Sequence, residues 1–66
     1  MTNAERAELA RNAVRDYRAA AESGDARKIA AAVNGMENAY ICICCRNVPG
    51  AEELRKTIRA AKARTV

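Results

Sequence analysis

Ile29–Ile43, reading IAAAVNGMENAYICI, decides the fold. Ile29, Val33, Met36, Tyr40 and Ile43 follow one another at steps of four, three, four and three. At about 100° per residue, that spacing lines large apolar side chains along one stripe of a helix. These five residues are the expected seam, buried in the chain's own core or against a second copy. The helix containing them is expected over 26–46. Gly35 inside it costs about 1 kcal/mol relative to Ala, which suggests that another helix crosses closely there. Beyond Tyr40 the residues Ile41, Cys42, Ile43, Cys44 and Cys45 are apolar all round. A helix apolar on every side is expected to be covered on every side, so Ile41 and Cys45 call for a third helix or a partner.

Upstream, Thr2-Asn3-Ala4-Glu5 has capping-box spacing and starts a helix expected over 3–22. Leu9, Ala10, Ala13, Val14, Tyr17, Ala20 and Ala21 share one face of it. Glu8, Arg11, Arg15, Arg18 and Glu22 share the other. Ser23-Gly24-Asp25 separates the helices: Gly24 suits a left-handed end and Asp25 an N-cap. So short a turn makes the helices antiparallel neighbours. Counting outward, Tyr17 falls level with Ile29 and Val33, Val14 near Val33 and Met36, and Ala7 and Ala10 opposite Tyr40 and Ile43.

Downstream, Asn47-Val48-Pro49-Gly50 breaks the chain, with Pro49 suited to the first turn of a new helix. That helix is expected over 50–64, carrying a thin stripe of Ala51, Leu54, Ile58, Ala61 and Thr65. Glu52 and Glu53 sit at its positive end, and Arg59, Lys62 and Arg64 near its negative end. The fold class is therefore all-α: an antiparallel helical hairpin plus a shorter third helix, in one small domain spanning 1–66. Sixteen alanines agree with this, and β-branched residues never alternate. The same alanines leave little core volume, with no Phe and no Trp. Burying the seam against a second copy is the simplest remedy, so a two-fold homodimer is expected.

The net charge is +4, from nine Arg and three Lys against eight acids. Such a balance favours an acidic protein patch, nucleic acid or an anionic surface. Arg11, Arg15 and Arg18, followed by Arg27 and Lys28, read either as a solvated face paired to Glu8 and Glu22 or as an acid-binding face. Duplex recognition calls for base-reading Asn or Gln on a recognition helix, and single strands call for exposed aromatics. The third helix has no Asn or Gln, and both tyrosines fall on apolar stripes. Protein therefore ranks above nucleic acid as the partner. Tyr40 reads as a core residue whose hydroxyl sits at the seam edge, or as an interface anchor.

No catalytic residue, cofactor or metal is expected. There is no His, and no Gly-rich phosphate loop. Cys42 and Cys45 lack the second pair that a zinc site needs. With Cys44 they are expected to be buried and inert, at a helix end whose dipole opposes the thiolate. MTNAERAEL carries acids and no apolar run, so neither a signal peptide nor a membrane span is expected. Three cysteines without such a signal point to the reducing cytoplasm.

The hairpin with its E-S-G-D turn (Glu22–Asp25), the N-x-M-E-N-A-Y-I stretch ending at Ile41 and the later G-A-E-E-L-R-K segment (Gly50–Lys56) resemble small early-expressed phage proteins, in particular the phage-encoded quorum-sensing anti-activator family. The resemblance implies a dimeric, cytoplasmic helical hairpin. It also implies binding to a LuxR-type transcriptional activator of the host, whose DNA binding it blocks, and a link to the ATPase of type IV pilus assembly. Under it, Arg11, Arg15, Arg18 and Tyr40 become the partner-facing groups. The cysteine cluster forms no part of the resemblance. The alternative function is a small basic nucleic-acid-binding regulator, and a third is a subunit whose only task is assembly.

Overall fold

The computed structural model describes residues 1–44 and 46–64. It contains α1 (Asn3–Ser23), α2 (Ala26–Ile43) and α3 (Ala51–Arg64), with no strand among the described residues. The all-α hairpin with a shorter third helix is therefore the observed architecture.

Local chemistry sets the helix starts. The Glu5 N–H donates to Thr2 Oγ1 at 3.1 Å, and the Thr2 N–H donates to Glu5 Oε1 at 2.8 Å, closing the capping box. At the far end of α1, Gly24 takes the left-handed conformation (φ 71°) and its N–H donates to the Ala21 carbonyl. Asp25 Oδ1 then accepts from the Arg27 and Lys28 N–H groups, at 2.9 and 3.4 Å, starting α2. Two residues thus reverse the chain.

α3 packs against both other helices. Its start lies beside the middle of α1, where a Cβ on Gly50 would sit 3.8 Å from that of Ala10. Arg18 of α1 bridges to Glu53, and Lys62 bridges to Glu37 of α2. α3 therefore runs alongside α1 and antiparallel to α2. The core between them combines Ala7, Ala10, Val14 and Tyr17 of α1 with Met36, Ala39 and Ile43 of α2, and with Val48, Leu54 and Ala61. Met36, Ile43 and Leu54 are fully enclosed.

Four expectations are corrected or narrowed. First, α2 ends at Ile43 and not at Arg46. The Arg46 N–H reaches the Ile43 carbonyl and the Val48 N–H reaches the Arg46 carbonyl, both at 3.0 Å. These tight bonds turn the chain so that Val48 enters the core. Second, Pro49 precedes α3 and is not part of its first turn. The Ala51 N–H donates to the Val48 carbonyl, with Gly50 at φ 91°, which is the pattern of a turn with Pro then Gly at its centre. The Gly50 carbonyl accepts from Leu54 and so opens the helix.

Third, α3 does not cover Ile41, so of the two covers expected for it only a partner remains. Ile41 is 72% exposed, and Cys42 and Cys44 are exposed too, because α3 approaches one flank of α2 only. Cys45 and Thr65 lie outside the described residues. Fourth, no close helix crossing occurs at Gly35 among the described residues: nothing lies within 4 Å of where its Cβ would be. The seam itself is uneven. Met36 and Ile43 are enclosed, whereas Ile29, Val33 and Tyr40 are half-buried.

The two glycines give opposite expectations. Gly35→Ala should stabilise the fold by about 0.5–1 kcal/mol, since the methyl meets open space and the helix gains propensity. Gly24→Ala should destabilise it by about 1–2 kcal/mol, because an L side chain resists the left-handed region. Urea titration of both variants checks the pair.

Two surface carboxylates link the fold to pH. The Thr2 backbone N–H holds Glu5 below the usual carboxylate range, and the hydrogen bond from Arg55 does the same for Glu52. A carboxylate with a lowered folded pKa contributes stability above its unfolded pKa, and that contribution is lost as pH falls through the folded value. The melting temperature should therefore hold from neutrality down to about pH 5 and decline below about pH 4. Glu5→Gln should flatten part of that decline.

Candidate functional site

The outward face of α1 carries Arg11, Arg15 and Arg18, all exposed. Their spacing of four and three puts them in one row. The pairs expected with Glu8 and Glu22 do not form. Instead, Arg15 contacts its neighbour Asp16 at 3.3 Å, and Arg18 reaches Glu53 of α3 at 2.9 Å. Arg11 makes no salt bridge among the described residues. Both observed bridges are well solvated, with Arg side chains 71% and 65% exposed. Exposed pairs of this kind contribute about 0–1 kcal/mol and exchange partners readily.

The three guanidinium groups ring a shallow depression of about 320 Å³, together with Val14 and Glu53. A second depression adjoins it and shares Arg18. Tyr17, Ala21 and Ala60 contribute its apolar surface, and Lys56 and Arg64 of α3 its cations. Helix-end charge pairing accounts for Arg64 in the sequence, whereas Lys56 carries no expected role there. Glu53, Lys56, Thr57, Ala60 and Arg64 recur at steps of three, one, three and four beside the Leu54–Ile58–Ala61 stripe. That second stripe was the available signal.

Tyr40 stands apart from the arginine row. It is half-buried on α2, while on α3 the Glu52 hydrogen bond holds the Arg55 guanidinium above its ordinary pKa. Glu53, which faces Arg18, and Arg55 are two positions apart on α3, about 200° around its axis. Tyr40, on α2, lines neither of the depressions that hold the three arginines.

A further open groove of about 570 Å³ lies between α2 and the end of α3. Ile29 and Val33, the half-buried part of the seam, line it with Ala26 and Ala30, and the Lys62–Glu37 bridge (2.9 Å) closes one edge. The expectation of buried cysteines is overturned for Cys42 and Cys44, both exposed at the end of α2. No cluster of metal-ligating side chains occurs among the described residues. No helix among them is long and apolar enough to cross a membrane.

Chemically, the α1 face offers planar, permanently charged forks. They pair with carboxylates or phosphates without needing a proton exchange. Comparison with family models, curated proteins and solved structures finds no match to this chain.

Proposed function

We propose that this chain is a small, non-catalytic, phage-type binding protein that inhibits a host regulatory protein in the cytoplasm. Following the resemblance of its hairpin, turn and G-A-E-E-L-R-K segment, the target is a LuxR-type quorum-sensing activator, with the type IV pilus assembly ATPase as a second candidate. One observation carries the reading: Arg11, Arg15 and Arg18 stand in a row at the surface, Arg11 without a salt bridge among the described residues and the others in exchangeable ones. Tyr40 supplies a separate contact on α2. A second copy of the chain covers the groove lined by Ile29 and Val33.

The alternative, a nucleic-acid-binding regulator, gains cations from Lys56 and Arg64 on the same side. It is disfavoured by Glu22 and Glu53, which lie among those cations. A tagged pull-down from nuclease-treated host lysate at two salt concentrations separates the two. A discrete host protein retained after nuclease supports the inhibitor reading. Nucleic acid recovered without nuclease, and nothing with it, contradicts it.

A further inference from the structure

We propose that the channel between α1 and α3 is a docking groove for an acidic, amphipathic helical segment of a protein, with Lys56 and Arg64 forming a second bank of cations opposite the α1 arginines. The inference rests on the reading above only in taking the partner to be a protein.

The two depressions share Arg18, whose bridge to Glu53 crosses from α1 to α3 between them, so a docked segment must take the place of Glu53 on Arg18. From Arg11 to Glu22 the channel follows α1 for about 16 Å, or three helical turns. One bank carries Arg11, Arg15 and Arg18, and the other carries Lys56 and Arg64. The apolar lining is Val14 in the first depression and Tyr17, Ala21 and Ala60 in the second. Cations on both banks with an apolar lining complement a helix with carboxylates on its flanks and small aliphatic side chains between them. Carboxylates at helical steps of three and four match the arginine row.

The acids in the channel select against a phosphate backbone. Glu53 sits 2.9 Å from Arg18, and Glu22 lines the second depression. A nucleic-acid strand presents negative charge at every step, so it meets both acids with repulsion. A protein segment can place a Lys there, and a carboxylate replacing Glu53 on Arg18 exchanges one exposed pair for another. Single-strand binding also needs an open ring for stacking, and the channel's one ring, Tyr17, is 8% exposed.

The test uses fluorescence anisotropy of the full chain with three labelled probes. These are a synthetic amphipathic helix of about four turns with Glu on its flanks, the same helix with Gln for Glu, and a single-stranded oligonucleotide of equal charge. The Glu helix should bind, weaken with salt, and outcompete the Gln helix and the oligonucleotide. Lys56→Glu with Arg64→Glu should lower its affinity about tenfold or more, with unchanged circular dichroism. If that pair disturbs the fold, Lys56→Gln with Arg64→Gln serves in its place. Glu53→Gln should strengthen the oligonucleotide relative to the peptide. Full peptide affinity in the α3 variants, with loss in Arg15→Glu and Arg18→Glu, would overturn the channel while leaving the inhibitor reading intact. Tighter binding of the oligonucleotide than of the peptide, or no binding of either, would overturn the partner class.

Discussion

Leu54→Ala is expected to cost about 2–5 kcal/mol and to bring the chain to the edge of unfolding. Leu54 is fully enclosed and is the one large side chain that α3 buries completely. A domain of this size has a total stability of roughly 3–10 kcal/mol. The core it belongs to combines four alanines with Val14, Tyr17, Met36, Ile43 and Val48, and side chains held on packed helices relax only partly into a cavity. Ile58→Ala, at a half-buried position of the same helix, should cost clearly less. Urea unfolding followed by circular dichroism gives both values. A Leu54→Ala midpoint equal to that of the unaltered chain would mean that the α1–α2 hairpin stands without α3, and the channel between α1 and α3 would lose its second wall.

Arg15→Glu with Arg18→Glu should abolish partner binding, by at least about a hundredfold, while the fold persists. Both side chains are mostly solvated, and the bridges they lose are worth little to stability. For a carboxylate-bearing partner, reversing two adjacent charges replaces two attractions by two repulsions and leaves Arg11 alone in the row. Glu53 then faces a glutamate at position 18, so a drop of a few tenths of a kcal/mol in stability is the expected side effect. Circular dichroism and thermal melting separate that small loss from the loss of binding.

The residues that proved legible act over a few positions. Thr2 and Glu5, Gly24, and Asp25 each contact groups two or three residues away, and each adopted the role its chemistry suggests. The interior stripe through Met36 and Ile43 was legible for the same reason, being a periodicity within one helix. The failures required knowledge of what lies across the fold. The end of α2 was drawn too long because five consecutive apolar residues outweighed Val48, whose burial demands an earlier turn. Pro49 fits a helix start and a Pro-Gly turn equally well, and the positive φ of Gly50 decides for the turn. Burial of Cys42 rests on composition alone, and α3 leaves both Cys42 and Ile41 exposed.

The candidate site divides in the same way. The arginine row is a pattern within α1 and could be read directly. Its bridge to Glu53 spans 35 positions, and neither that pair nor the separation of Tyr40 from the row follows from spacing in either helix. Lys56 and Arg64 join the site only once α3 is laid alongside α1.

The central claim, that the α1 arginines dock on a host regulator, is tested most directly by titrating the chain into a LuxR-type activator bound to labelled operator DNA and following release of the DNA. The unaltered chain should release it in proportion to its concentration, and the chain carrying Arg15→Glu and Arg18→Glu should not. Release by both chains alike, or direct binding of the unaltered chain to the DNA, would contradict the account.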